Sequence, residues 1–330
     1  MADLTGSLRE RATAAAQKWA PGSKVTAVSP LTGGASSLTF VADLAGAPEE
    51  RAVLKVAPPG LAPVRNRDVL RQGRLMAALH GRPGVRVPPV LFSDPGEPPA
   101  DSPFVAMGLV PGECREPVLT EDRAPERFPE VRAAALDAAE VLAAIHALDP
   151  AAVGLGDEPV VTLGAEIDRW TRAFGTVPAD LQHGYQRYAE ILHDTMPEAL
   201  PPVVNHGDYR LGNTLCRHGR VEAVIDWEIW SVGDPRIDLA WFTFFTDEAR
   251  HPAAPLASET GMPTAAELLA AYGADLPDLR WFEALTRYKE AGATALLIKR
   301  GRKNGTLPDG VARMVPALPG LLAETEALLS

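Results

Sequence analysis

The chain has 330 residues, 46% of them apolar and 23% charged, which suits a buried core divided between two lobes and argues against wholesale disorder. The net charge of −11 repels phosphate backbones and anionic membranes, so neither nucleic acid nor a membrane is expected as a partner. The two cysteines are too few for an all-thiolate zinc site, and residues 1–20 lack the apolar run of a secretory signal, so a cytoplasmic location is expected.

The N-terminal third of the chain is predicted to be rich in β-strand. Apolar residues at helical spacing indicate helices over residues 5–19 and 64–80. Short apolar runs bounded by glycine and proline indicate five strands, at 25–28, 38–44, 51–56, 87–92 and 104–109. A sheet accompanied by helices is therefore expected in this part of the chain.

The remaining two thirds are predicted to be mainly helical. Helical periodicity recurs at 130–148, 163–175, 180–195, 263–273, 279–299 and 310–328. Short strands and loops interrupt this pattern over residues 203–226, which predicts a small β-hairpin within the helical part. We therefore expect two domains, a nucleotide-binding N-lobe at 1–109 and a helical C-lobe at 110–330.

Polar side chains are concentrated in residues 206–213, which read His-Gly-Asp-Tyr-Arg-Leu-Gly-Asn between two apolar runs. Asp208 and Asn213 have the five-residue spacing of the catalytic Asp and metal-binding Asn in the kinase catalytic loop. Asp226 follows the second apolar run. Phosphoryl transfer needs a carboxylate to orient the attacking hydroxyl and hard oxygen ligands for Mg²⁺.

The alternative interpretation of this segment is an ordinary turn whose polar side chains cap backbone amides. The flanking strands, the histidine two residues before Asp208 and the later sequence Ile225-Asp226-Trp227-Glu228 favour the phosphoryl-transfer interpretation.

Together with Gly233-Asp234-Pro235 and Asp238-Leu239-Ala240, these motifs resemble those of the aminoglycoside phosphotransferase superfamily, over about residues 23–300. The sequences of 208–213 and 226–228 are most similar to the branch that includes the kinase-like domains of acyl-CoA dehydrogenase fusion proteins, which act on hydroxyacyl substrates. The resemblance implies an α+β, two-lobed protein-kinase-like fold that binds ATP and Mg²⁺ between its lobes.

The resemblance also implies roles for individual residues. Asp208 matches the catalytic base, and His206 matches the histidine that braces the catalytic loop. Asn213 and Asp226 match the Mg²⁺ ligands. Structural roles are expected for the two aspartates that follow, Asp234 and Asp238.

A glycine- and serine-containing turn lies between the first two predicted strands. Its candidate phosphate-binding residues are Gly33, Gly34, Ser36 and Ser37, because glycine lets the backbone approach phosphates and hydroxyls can bind their oxygens. Alone, the motif is more typical of an ordinary hairpin turn, but its place ahead of Lys55 and the catalytic segment favours phosphate binding. Lys55 is either a solvated edge charge or a cleft lysine, and the resemblance favours the lysine that binds the α- and β-phosphates.

One position departs from the family pattern. Gln72 stands where the family has the glutamate that pairs with the strand lysine, so the lysine clamp loses a charge–charge contribution. Asp68, one turn earlier, is a candidate substitute. Met107 and Leu109 are expected to contact adenine at the hinge between the lobes.

The acceptor side is less well defined by sequence. Tyr209 and Arg210 are candidate substrate contacts because they adjoin Asp208. Further candidates, each equally compatible with a core position, are Trp230, Trp241, Arg287 and Tyr288. The basic run at 299–303 would suit a phosphate-rich handle, or else forms a solvated helix end.

These features predict a small-molecule kinase that transfers the γ-phosphate of ATP to a hydroxyl, with a hydroxyacyl-CoA or hydroxy acid as the expected acceptor. Two alternatives stay open. One is an aminoglycoside or other antibiotic O-phosphotransferase. The other is a catalytically impaired nucleotide-binding scaffold, which Gln72 favours.

Overall fold

The computed structural model describes residues 2–31, 37–121, 123–256 and 258–330. In the N-terminal part of these ranges, five antiparallel strands pair in the order first, second, third, fifth and fourth. The elements are α1 (Ala2–Trp19), β1 (Lys24–Pro30), β2 (Leu38–Ala45), β3 (Arg51–Val56), α2 (Val69–Leu79), β4 (Val90–Asp94) and β5 (Phe104–Gly108).

One face of this sheet is covered by α1. Leu8 and Ala12 of α1 are buried in one apolar cluster with Leu54 of the central strand β3. Because successive side chains of a strand point to opposite faces, Lys55 faces away from this cluster, as predicted, and toward the C-terminal part of the chain.

The C-terminal part is mainly helical, as predicted. Its helices are α3 (Phe128–His146), α4 (Leu163–Gly175), α5 (Tyr185–Asp194), α6 (Arg236–Thr243), α7 (Ala265–Tyr272), α8 (Leu279–Asn304), α9 (Asp309–Met314) and α10 (Leu318–Leu329). None of the helices in the described ranges has the length and apolar character needed to cross a bilayer.

Two small sheets are embedded among these helices. Their strands are β6 (Val160–Val161), β7 (Val203–Asn205), β8 (Thr214–Arg217), β9 (Arg220–Val224) and β10 (Ser231–Gly233). β8 and β9 form the predicted hairpin, and β10 lies between β6 and β7. The hairpin pairs Thr214 with Val224, so the residues just outside it, Asn213 and Ile225, also lie side by side.

Several predicted boundaries differ from the observed ones. The helix predicted at 64–80 begins only at Val69, because Arg65–Arg67 form a 3-10 turn and the Asp68 side chain caps the helix. The helix predicted at 310–328 is divided into α9 and α10 by a 3-10 turn at Val315–Ala317, which contains a proline.

Side-chain contacts join the N-terminal part of the chain to the C-terminal part at two places. Arg71 of α2 donates to Glu158 at 2.7 Å and stacks on the Trp230 ring at 3.8 Å. Arg86 forms an ion pair with Asp137 of α3 and donates to the Val221 carbonyl. These contacts hold Lys55 opposite the loop between β7 and β8.

A buried ion pair orders the turn before α6. Arg236 has no exposed side-chain surface, and its guanidinium donates to both carboxylate oxygens of Asp234 at 2.7 and 2.9 Å. Asp234 also accepts the Leu200 N–H at 2.8 Å. A fully paired buried carboxylate of this kind agrees with the structural role expected for Asp234.

Candidate active site

The loop of residues 206–213, here called the catalytic loop, connects β7 to β8. Asp238, on the first turn of α6, accepts the backbone N–H groups of both His206 and Gly207. Gly207 has φ +86°, and a Cβ there would lie 2.7 Å from the Ile229 carbonyl oxygen. The loop conformation therefore depends on a glycine and on a buried carboxylate, and the structural role expected for Asp238 is the capping of this loop.

His206 braces the catalytic loop against the segment that carries Asp226. Its Nε2 lies 2.8 Å from the Ile225 carbonyl oxygen, and its Nδ1 lies 3.2 Å from the backbone N–H of Asp208. A carbonyl only accepts and an N–H only donates, so this network assigns the neutral ring with its proton on Nε2. With both ring nitrogens engaged, His206 supports the loop rather than exchanging protons.

Asp208 is a partly exposed carboxylate held by three side chains. Its Oδ1 accepts the Trp241 indole N–H at 2.8 Å, its Oδ2 accepts the Asn213 amide at 2.8 Å, and Arg210 Nε lies 3.2 Å from Oδ1. Burial raises the pKa of Asp208 above its ordinary value, while Lys289, Asn213 and Trp241 act in the opposite direction. The carboxylate is thus fixed in orientation and close to a second oxygen-bearing side chain.

Asp226 follows β9 with a left-handed backbone, at φ 64° and ψ 51°. Its Oδ1 accepts from Lys55 Nζ at 2.8 Å. Burial raises the pKa of Asp226, but the charge and hydrogen bond of Lys55, together with the charge of Arg210, outweigh burial and leave the pKa below its ordinary value. The hairpin and His206 hold Asp226 beside Asn213, so the predicted residues His206, Asp208, Asn213, Asp226 and Lys55 are brought together.

The other residues predicted for the nucleotide site differ in their burial and in their hydrogen-bond partners. Gln72 is buried and donates to the Asn66 carbonyl, and the Asp68 carboxylate accepts the Arg71 N–H. The partner of Lys55 is instead Asp226. Met107 is buried on β5, and Leu109 follows the strand half-exposed. Ser37 is described and buried. Gly33, Gly34 and Ser36 lie outside the described residues.

Of the two predicted substrate contacts next to Asp208, one belongs to the core and the other lies at the edge of the cleft. Tyr209 is completely buried, and its hydroxyl donates to the Ala138 carbonyl at 2.6 Å, so the structure corrects its prediction from substrate contact to core residue. Arg210 is partly exposed and forms ion pairs with Asp208 and Glu116. It remains a candidate contact at the edge of the cleft.

Of the four further candidate substrate contacts, only Trp241 forms a hydrogen bond with the catalytic loop in the described part of the chain. Tyr288 bonds to Thr171 within the helical core, and Arg287 pairs with Glu324. In the basic run 299–303, Lys299 donates to a backbone carbonyl and Arg302 pairs with Asp180, which agrees with a helix end.

Two side chains of α8 beside the catalytic loop were not predicted from the sequence. Lys289 donates to the Gly207 carbonyl, and Glu290 is close enough to Asp208 for the two charges to interact. The sequence shows these two residues as an adjacent Lys-Glu pair, but charged residues on an amphipathic helix usually indicate its solvated face.

Glu290 provides a test by pH. Burial and then the nearby Asp208 raise the pKa of Glu290 to about 7 from 4.5. Between these values the folded protein keeps a proton that the unfolded chain loses, so this group lowers stability as pH rises. We expect Glu290→Gln to gain stability relative to the natural protein between about pH 5 and pH 8, by at most about 3 kcal/mol.

Urea denaturation of both proteins across this pH range measures the difference. The exposed Glu324→Gln is the matched control. If the stability curves of the natural protein and Glu290→Gln run parallel, Glu290 does not titrate in this range.

The donor set of the site fits a magnesium ion. In the described part of the chain, no group of three or more His, Cys, Asp and Glu side chains forms a metal cluster. One carboxylate, Asp226, and one amide, Asn213, match the few protein ligands that Mg²⁺ takes when phosphates supply the rest. The Lys55 ammonium lies 2.8 Å from the Asp226 carboxylate and partly neutralises its charge.

Comparison with known proteins defines the family. Residues 27–285 match the model of the phosphotransferase enzyme family, APH, and the chain belongs to this family. Human acyl-CoA dehydrogenase family member 11 is 27% identical over 262 residues, which cover 73% of this chain and 32% of that protein. The chain thus spans about a third of this relative's length, and the predicted similarity to acyl-CoA dehydrogenase fusion proteins is confirmed.

Solved structures show the same fold. A candidate aminoglycoside phosphotransferase from Ralstonia eutropha has a TM-score of 0.69 at 22% identity, covering 99% of this chain and 97% of that one. An aminoglycoside phosphotransferase in ternary complex with ADP and hygromycin B has a TM-score of 0.57 at 19% identity, covering 93% and 94%. The predicted α+β, two-lobed kinase-like fold is therefore confirmed.

Proposed function

We propose that this protein transfers the γ-phosphate of ATP to a hydroxyl group of a small molecule, with Asp208 as the base. The observation that carries the proposal is the contact between the Asp208 carboxylate and the Asn213 amide at 2.8 Å, beside the Asp226–Lys55 pair. A base and two hard oxygen ligands are thereby available within one cleft.

The surroundings of Asp208 suit the orientation of an acceptor hydroxyl. Trp241 holds one carboxylate oxygen and Asn213 the other, so the carboxylate cannot rotate without losing a hydrogen bond. The acceptor O–H would donate to Asp208, which takes its proton as the oxygen attacks phosphorus. Catalysis of this kind rests on positioning rather than on a covalent intermediate.

The nucleotide-binding part of the proposed site would consist of metal ligands, phosphate contacts and adenine contacts. Asn213 and Asp226 would hold Mg²⁺, which neutralises charge on the phosphates when bound. Lys55 would exchange its contact with Asp226 for phosphate oxygens. Met107 and Leu109 would flank adenine, and Gly33, Gly34, Ser36 and Ser37 would contact the phosphates.

For the acceptor, we propose a hydroxy acid or hydroxyacyl-CoA. A cavity of about 210 Å³ adjoins the catalytic loop through Glu116, which pairs with Arg210. Arg115, Arg123 and Arg127 line this cavity, and the buried Nε atoms of Arg115 and Arg123 have no hydrogen-bond partner among the described residues. The terminal nitrogens of Arg115 pair with Glu113 and Glu130, so the support for an acceptor with a carboxylate or phosphate over a polycationic antibiotic comes from the two unpaired Nε–H groups.

A screen for acceptor-dependent ADP release tests the proposed function. The purified protein is supplied with ATP and Mg²⁺ and offered hydroxy acids, hydroxyacyl-CoAs and aminoglycosides in parallel, and the phosphorylated product is identified by mass spectrometry. We expect turnover with the anionic acceptors. Turnover with aminoglycosides alone would contradict the proposed acceptor class. ATP binding without turnover of any acceptor would support the scaffold alternative instead.

A further inference from the structure

Lys289 lies in the interior of the protein. Its residue surface is 5% exposed, and its Nζ donates to the Gly207 carbonyl of the catalytic loop. Burying an ammonium is costly unless it is paired or hydrogen-bonded, so lysine is rarely found at such a position. An apolar side chain of similar length would fill the same space at lower cost, which indicates that the charge and its hydrogen bond have a purpose.

The same ammonium lies 3.8 Å from the centroid of the Trp241 ring. Trp241 in turn donates its indole N–H to Asp208 Oδ1 at 2.8 Å. A cation over the ring face is attracted by the π-electrons, most strongly for tryptophan. Lys289 therefore holds the catalytic loop by two routes, directly at Gly207 and through Trp241 at the carboxylate itself.

The charges around Lys289 come from several elements. Burial lowers the pKa of Lys289 below its ordinary value, although Glu166 of α4, Asp208 of the loop and Asp238 of α6 favour the charged form; Arg169 of α4 opposes it. Yet in the described part of the chain no carboxylate lies within ion-pair distance of Lys289, while Glu166 bonds to Trp170 and Asp238 caps the loop. The direct partners of the ammonium are thus the loop carbonyl and the indole ring.

We propose that Lys289 is a positioning residue that fixes the catalytic loop and Trp241, and thereby the direction in which Asp208 meets the acceptor hydroxyl. This inference rests on the proposed function. The proposal predicts different effects on turnover and on nucleotide binding. Loss of Lys289 should impair turnover but leave nucleotide binding intact, because none of the Lys289 contacts involves Lys55, Asn213 or Asp226.

The test compares Lys289→Met with Lys299→Met. Both lysines belong to α8 and both donate to a backbone carbonyl, but Lys299 is exposed and contacts Thr176, away from the catalytic loop. We expect Lys289→Met to lower kcat by about 10- to 100-fold, as small misplacements of catalytic groups do, with the KM for ATP within about twofold. Lys299→Met should retain the natural values.

A spectroscopic readout accompanies the kinetics. The indole N–H of Trp241, assigned by its disappearance in Trp241→Phe, is followed by NMR in the full-length protein. We expect its resonance to shift and its exchange with solvent to accelerate in Lys289→Met but not in Lys299→Met. An unchanged kcat, or an unmoved Trp241 resonance, would overturn the positioning role.

The two readouts separate this inference from the proposed function. If the natural protein phosphorylates no acceptor, the proposed function fails, and the Trp241 resonance still decides whether Lys289 orders the loop. If Lys289→Met does not fold, Trp241→Phe removes the indole donor while keeping an aromatic ring beside Lys289. A kcat lowered about tenfold at unchanged KM for ATP supports the Trp241–Asp208 link through which Lys289 is proposed to act, and a natural kcat overturns the proposal.

Discussion

Replacing Asp208 with asparagine is expected to lower phosphate transfer by about 10²- to 10⁴-fold, the contribution usual for a positioned general base. Asparagine keeps the size of the side chain and can still accept from Trp241, but it cannot take the proton of the acceptor hydroxyl. Asn213 keeps its hydrogen bond to the backbone carbonyl of residue 208, and the Asp226–Lys55 pair is not altered by the substitution, so ATP affinity should change little. Initial rates of ADP release and calorimetry with ATP measure the two effects.

The exposed Asp168→Asn is the matched control for this substitution, because Asp168 pairs with His193 on the surface of the helical part. It should retain natural turnover. If Asp208→Asn also turns over acceptor at the natural rate, Asp208 is not the base and the assignment of the catalytic loop fails.

Replacing Asp226 with asparagine is expected to lower the affinity for ATP in the presence of Mg²⁺ by about 100-fold. Loss of a residue that only supports a metal ligand already lowers metal affinity by about 10- to 100-fold, so loss of a charged ligand should cost at least as much. Asparagine tolerates the left-handed backbone at φ 64°, so the change tests charge rather than strain. It also releases Lys55 from its present partner, which should preserve the weaker binding of metal-free ATP.

Calorimetry with ATP in the presence and absence of Mg²⁺ measures this effect. Asp278→Asn is a close control, because Asp278 also has a left-handed backbone, at φ 58°, but it pairs with Arg236 rather than with Lys55. Equal binding heats for Asp226→Asn and the natural protein in the presence of Mg²⁺ would remove Asp226 from the metal site.

Strongly periodic elements could be predicted closely from the sequence. β3 was predicted with its observed ends because apolar side chains alternate along it, and α4 because apolar residues recur at helical spacing after Thr162, which caps it. β6 and β10 were missed. Each has only two or three residues, too short to show any periodicity, and they exist because β10 pairs with both of its neighbours.

The candidate site was predictable where its residues are close in sequence and not where they are distant. Asp208 and Asn213 are five residues apart, and their contact follows from one loop. Lys289 reaches the same loop from 82 residues away, a contact that only the packing of α8 determines. Tyr209 was misassigned for the same reason, since its hydroxyl partner Ala138 belongs to a helix 71 residues earlier.

A crystal structure with a non-hydrolysable ATP analogue and Mg²⁺ tests most directly whether this cleft is built for phosphoryl transfer. The expected result is a metal ion bound by the Asn213 amide oxygen and the Asp226 carboxylate, Lys55 moved from Asp226 to the phosphates, and the terminal phosphate facing Asp208. A nucleotide bound elsewhere, or a Lys55–Asp226 pair still closed with no metal beside Asn213, would contradict the proposed function.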